Sequence, residues 1–183
     1  DHEGKVPVAG EAAFVGRRRQ IQGILREFRA PKAERHAGVL IRGMGRQGTS
    51  SLAARVAHRL EPTHETVVIY GRYDARAILA AFGNRIATPE VTAIVDQWLP
   101  QVRDTPSQLL PALTALLEGP CAQRGNNGSQ PVLLVIDDFE QALEGCENGP
   151  HVVDEDVIPA IRAVLQAFTN AETDSRLLFT SRF

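Results

Sequence analysis

The sequence predicts a three-layer α/β fold built around a mostly parallel sheet. Two observations predict it. Short, uninterrupted apolar runs recur along the chain, and amphipathic stretches at helical spacing separate them. A run with no polar residue on either face suits a strand buried on both sides, as parallel sheets require. Strands alternating with helices give parallel pairing through crossover helices.

Residues 1–12 read as a linker and 13–183 as one domain. A helical pattern follows the linker, with Ile21, Ile24, Leu25 and Phe28 on one face, and Pro31 ends it. Val39-Leu40-Ile41 reads as a short strand buried on both faces. Gly43 to Gly48 is a glycine-rich turn, and Leu52, Val56 and Leu60 mark the helix after it. Val67-Val68-Ile69-Tyr70 is a second buried-type strand. Helices are expected over residues 75–83, 90–99 and 106–118. The last of these carries Leu109, Leu110, Leu113, Leu116 and Leu117 on one broad face. Residues 119–131 form a polar loop rich in breakers. Val132-Leu133-Leu134-Val135-Ile136 is the clearest strand. A helix over 156–169 turns Ile158, Ile161, Leu165 and Phe168 inward, and Leu177-Leu178-Phe179 is the last strand.

Composition narrows the function classes. The 183 residues are 43% apolar and 23% charged, enough for one domain with a core. Twenty basic and 22 acidic residues give a net charge of −2, which carries no strong nucleic-acid signal. The one basic run, Arg17-Arg18-Arg19, suits a solvated helix face. No apolar run reaches the length of a membrane span, and the N-terminus has no signal-peptide pattern. Cys121 and Cys146 have no histidine at ligand spacing and lie in polar surroundings. A reducing, cytoplasmic setting fits them. His36, His58, His64 and His151 lack partners at catalytic spacing and read as surface histidines. Trp98 reads as core or partial core. The chain opens without Met and ends on an apolar run, as a piece of a longer protein would.

Two motifs carry chemistry. Gly43-Met44-Gly45-Arg46-Gln47-Gly48-Thr49-Ser50-Ser51 stands between a strand and a helix. It compares with G-x-x-x-x-G-K-[ST], the phosphate-binding loop, with Thr49 in place of the lysine. Successive main-chain N–H groups in such a loop form an anion cradle, and the helix start adds its dipole. Glycines let the backbone approach phosphate oxygens. Ser50 stands where a hydroxyl would ligate Mg²⁺. What Thr49 lacks is a point charge on the β- and γ-phosphates. Arg46 near the loop apex is a candidate substitute.

The second motif is the apolar strand that ends in Asp137-Asp138. Open parallel sheets bind ligands at the carboxyl ends of their strands. Asp137 is assigned to support Mg²⁺, and Asp138 to orient or activate a hydrolytic water, with Glu140 as a weaker alternative. The structural alternative for Asp138 is an N-cap of the next helix.

These motifs lie in a telling order. Phe14-Val15-Gly16-Arg17 comes first, then the glycine-rich loop with Ser50-Ser51, then the strand ending in two acids. Leu177-Leu178-Phe179-Thr180-Ser181-Arg182 comes last. The order resembles the STAND class of signalling P-loop NTPases, relatives of the AAA+ proteins that include the NB-ARC and NACHT groups. The resemblance implies an ATP- or ADP-binding switch with Mg²⁺. It places Phe14, Val15, Gly16 and Arg17 beside adenine and ribose. Gly43, Gly45, Arg46, Gln47, Gly48, Thr49, Ser50 and Ser51 line the phosphates. Arg182 becomes a sensor arginine at the γ-phosphate. It further implies a homo-oligomer of the full-length protein, effector and sensor domains outside this segment, and for bacterial members a role in defence. The chain would be such a domain truncated after the sensor strand. Thr49 departs from the family pattern and points to impaired hydrolysis, whether natural or engineered. Two alternatives stand beside this reading. One is a competent ATPase in which Arg46 or a neighbouring subunit supplies the missing charge. The other is a degenerate P-loop scaffold for protein contacts.

Overall fold

The computed structural model describes residues 17–43, 48–125, 129–144 and 152–182. Helix α1 (Arg18–Arg29) leads into strand β1 (Val39–Arg42) and helix α2 (Thr49–Leu60). Strand β2 (Glu65–Tyr70) is followed by α3 (Ala75–Arg85), α4 (Pro89–Asp104) and α5 (Leu109–Glu118). Strand β3 (Val132–Asp137) precedes a short antiparallel pair, β4 (Leu143–Glu144) with β5 (Val152–Val153). Helix α6 (Ile158–Asn170) and strand β6 (Arg176–Ser181) close the chain.

The main sheet has the order β1-β6-β3-β2, and all three pairings are parallel. Side chains alternate between its faces. Ile41, Leu133, Val135 and Leu178 meet α1 and α2 through Ile24, Phe28, Leu52 and Val56. Val67, Ile69, Leu134, Ile136, Leu177 and Phe179 meet α3, α5 and α6 through residues such as Ile78, Leu113 and Val164. The three layers and the parallel sheet are those expected from the sequence. β3 is central and buried at every position.

Four local expectations differ. β1 is an edge strand of the described sheet, so only Ile41 is buried, and Leu40 is 56% exposed on the face turned away from α1 and α2. In α6 the buried stripe runs through Ala160, Ile161, Val164, Ala167 and Phe168, which leaves Leu165 at 39% exposure. The inward face thus lies one position from the expected Leu165. α4 runs through Pro100 to Asp104. A proline in a helix removes the bond to the carbonyl four residues back. Here Pro100 and Asp96 are both exposed, so water can satisfy that carbonyl. Cys121 is fully buried rather than in polar surroundings, and burial pushes its thiol up to about 12. Trp98 packs partly buried against the larger core, as read.

No helix among the described residues is long and apolar enough to cross a membrane.

Candidate functional site

The carboxyl ends of β1, β6, β3 and β2 lie in register. Ile41 pairs with Thr180, Arg42 with Ser181, and Tyr70 with Asp137. The N–H of Gly43 donates to Ser181 O at 3.2 Å, which ties the start of the glycine-rich loop to the end of β6. Met44, Gly45, Arg46 and Gln47 lie outside the described residues, as do Phe14, Val15, Gly16, Cys146 and His151. Arg17 occupies the N-cap position of α1, where its carbonyl accepts from Ile21 N at 3.1 Å.

Gly48 closes the loop in a left-handed conformation, with φ 72° and ψ 42°, immediately before α2. A Cβ there would meet ordinary contacts no closer than 3.7 Å, so backbone conformation rather than crowding requires glycine. Leu52 N donates to Gly48 O at 2.9 Å, and the first amides of α2 are left to face the loop. Thr49, Ser50 and Ser51 form the first turn of that helix. Thr49 is 8% exposed, so a short neutral side chain is packed where the motif otherwise carries an ammonium. Ser50 is half-buried.

β3 delivers the acids. Two residues on from Val135, Asp137 shares the sheet face that carries α2 and is 2% exposed. Thr180, two on from Leu178, lies on the same face. Its hydroxyl donates to Asp137 Oδ1 at 2.6 Å and accepts from Asp138 N at 2.9 Å. One hydroxyl thus orients the carboxylate and anchors the next residue. The chain then turns sharply: Asp138 has φ 51° and ψ 44°. Asp tolerates this left-handed region better than most residues. Its carboxyl makes no cap to the turn Phe139–Ala142, so the N-cap alternative does not describe it.

Tyr73 holds the same turn from the opposite face. Its buried hydroxyl lies 2.8 Å from Asp137 O and 2.9 Å from Asp138 O, and its one proton is shared between the two carbonyls. Burial first, and the nearby acids after it, push the Tyr73 phenol up to about 12, so it remains a donor. Its ring meets Phe139 edge-on, and Phe139 meets Phe179 in the same way. Sequence reasoning missed Tyr73, for which no motif exists. Thr180 was legible as a polar residue on the inward face of an apolar strand, but its role was not read.

Arg182 leaves β6 beside these acids. Its Nε lies 2.7 Å from Glu140 Oε1, and its N–H donates to Glu140 Oε2 at 3.2 Å. Its Nη2 is 3.9 Å from Asp138 Oδ2. Asp138, Glu140 and Arg182 therefore form one cluster. Burial raises the Asp138 carboxyl above its ordinary value. The charges of Asp137 and Glu140 add to this, and Arg182 opposes it. A carboxyl tuned upward is a better proton acceptor than an ordinary one.

The oxygen chemistry of Asp137 and Ser50 is of the kind a hard divalent cation takes. Asp137 and Ser50 offer only oxygens, and Thr180 engages just one oxygen of the Asp137 carboxylate. Among the described residues no group of three His, Cys, Asp or Glu could hold a metal unaided. Mg²⁺ in such sites completes its shell with phosphate oxygens and water.

Elsewhere, His36 and His58 are exposed. His64 departs from the surface reading: it is half-buried, and its Nε2 donates to Asp174 O at 3.0 Å.

No curated protein is similar enough in sequence to match this chain. Among solved structures it is similar to the Aeropyrum pernix ORC2 protein, described in ADPNP–ADP complexes, with a TM-score of 0.55 at 18% identity. The similarity covers 100% of this chain and 43% of that one. At that identity the likeness concerns the fold. The AAA ATPase domain family matches residues 13–179, nearly the whole sequence. With its parallel sheet, glycine-closed loop and acid-tipped central strand, the chain belongs to the AAA ATPase domain family.

Proposed function

We propose that this chain is an ATP- or ADP-binding switch module of a STAND-type signalling or defence protein, with hydrolysis impaired by Thr49. One observation carries the reading. A glycine-closed helix start, a buried carboxylate and an arginine meet at one end of the parallel sheet, and a packed threonine stands where the ammonium would be. Backbone amides and the α2 dipole would seat the phosphates. Asp137 and Ser50 would hold Mg²⁺, which supplies charge neutralisation on the phosphate oxygens. Arg182 would report the terminal phosphate, and Asp138, with Glu140 beside it, would face the attacking water. Homo-oligomer formation, and effector and sensor domains outside this segment, belong to the same proposal.

Isothermal titration with ATP and ADP tests it. Binding should depend on Mg²⁺, and Asp137→Ala should weaken the Mg²⁺-dependent part by about tenfold, the equivalent of ~1.4 kcal/mol. Absence of heat at high micromolar nucleotide would sink the proposal.

A second reading is a competent ATPase in which Arg46 or a neighbouring subunit replaces the lysine; the cluster of Asp138, Glu140 and Arg182 would then serve the attacking water. Phosphate release separates the two. Thr49→Lys should raise turnover by roughly a hundredfold if the missing charge limits the reaction, and change it little if another cation already serves.

A further inference from the structure

We infer that Glu140 is a positioning residue that limits the preference of the site for a nucleoside triphosphate over a diphosphate, because it holds Arg182 in a pair that a terminal phosphate must displace. The inference rests on the nucleotide-binding reading above. Glu140 grips Arg182 twice: one carboxylate oxygen accepts from the main-chain N–H, and the other meets the guanidinium Nε at 2.7 Å. The two partners differ in freedom. The Glu140 side chain is 9% exposed and that of Arg182 is 55% exposed, so the acid is fixed and the arginine can swing. Glu140 Oε1 is buried without a hydrogen-bond partner among the described residues, so the 2.7 Å charge contact with Arg182 Nε is what it has. If Arg182 leaves, that oxygen stays buried without a partner, which is costly.

The cost falls on whichever ligand recruits the guanidinium. Arg182 begins one residue beyond Ser181, whose carbonyl anchors the first residue of the phosphate loop. On the nucleotide-binding reading, a phosphate chain seated on the α2 N-terminus would extend toward the strand ends that carry Arg182. A triphosphate therefore competes with Glu140 for Arg182, and a diphosphate leaves the pair intact. A ligand shifts such an equilibrium only by its differential affinity for the two arrangements. Glu140 thus discounts triphosphate binding selectively.

The test is a double-mutant cycle on the full chain, with MgATP and MgADP affinities measured calorimetrically. Glu140→Gln frees the arginine and should tighten MgATP by roughly threefold to tenfold, the range of a partly exposed ion pair, while MgADP stays unchanged. Glu140→Asp, which keeps the charge on a shorter arm, should fall between. Arg182→Gln should remove the preference, and in that background Glu140→Gln should change neither affinity. Three results would overturn the inference and leave nucleotide binding intact: an unchanged ATP/ADP ratio in Glu140→Gln, equal tightening of both ligands, or a gain that persists without Arg182. The last would mean that Glu140 merely repels phosphate. No binding by the wild-type chain or any variant would remove the nucleotide reading and this inference together.

Discussion

The two ends of the parallel sheet treat charge in opposite ways. At the amino ends of β3 and β6, charged and polar groups are spent on backbone. Arg176 Nε donates to Phe28 O at 2.7 Å, and its Nη1 donates to Ser175 O at 2.8 Å. Arg35 reaches Thr173 O, His64 reaches Asp174 O, and the Thr173 and Ser175 hydroxyls both reach Cys121 O. At the carboxyl ends, three acids and an arginine cluster, and one of the acids, Asp138, lies in the left-handed region. Backbone carbonyls satisfy the first set within the fold. The second set is only partly satisfied, since the buried Glu140 Oε1 has no hydrogen-bond partner among the described residues; in the function proposed above, a cation and a phosphate would add partners there. Buried polar groups normally find partners, so the incompletely paired end is where function is to be sought.

The contrast breaks most visibly at Arg176, whose side chain is 12% exposed. Arg176→Met should lower unfolding free energy by about 2–3 kcal/mol, since charge-assisted bonds to two carbonyls are lost. Nucleotide affinity should stay unchanged, because none of its partners touches the carboxyl end. Chemical denaturation alongside titration checks both halves. An equal loss of nucleotide affinity would show that the two ends are not independent.

Tyr73→Phe probes the other end more gently. The edge-on contact with Phe139 survives, and only the hydroxyl bridging two carbonyls is removed. Stability should fall by about 1 kcal/mol, the worth of one net hydrogen bond. The informative readout is the Asp138 carboxyl, followed by NMR titration in both proteins. If Tyr73 fixes the turn that buries Asp138, its value should drop back toward the ordinary one in the variant. A titration identical to wild type would mean that Thr180 holds the turn alone.

The same contrast marks what the sequence could show. β3 was legible because a strand covered on both faces leaves an unbroken apolar run. β1 carries a similar run, yet Leu40 is exposed, since edge or centre is decided by where β6 docks and not by residues 39–42. In α6 the apolar residues cover more than one stripe, so Leu165 could be assigned inward with equal local justification. Asp137, Asp138 and Arg182 were legible as polar residues at the ends of apolar strands. The grip of Glu140 on Arg182 was not, because it joins residues 42 positions apart through a turn the pattern does not specify. Tyr73 was hidden for the same reason: it acts on main-chain atoms 64 positions away, and backbone acceptors leave no mark in sequence.

The smallest expected effect sharpens the comparison through pH, because the two ends should respond with opposite signs. At the amino end, burial lowers His64 below its ordinary 6.5. The Arg176 charge acts in the same direction, and the Asp174 carbonyl opposes both. The folded chain then binds fewer protons at this residue than the unfolded chain. Its stabilising share is complete above 6.5 and is lost as pH falls from 6.5 through the lowered folded value. At the carboxyl end the Asp138 carboxyl is raised above 3.8, so here the folded chain binds more protons. Stability from this group is therefore greatest below 3.8 and declines as pH rises through the raised folded value. Difference curves isolate each group from the other carboxylates. Unfolding midpoints of wild type minus His64→Gln should rise with pH, and those of wild type minus Asp138→Asn should fall, each within its own window. Two rising slopes would mean that desolvation does not govern Asp138 and that Arg182 outweighs it in the resting chain, and two falling slopes would mean that burial does not govern His64.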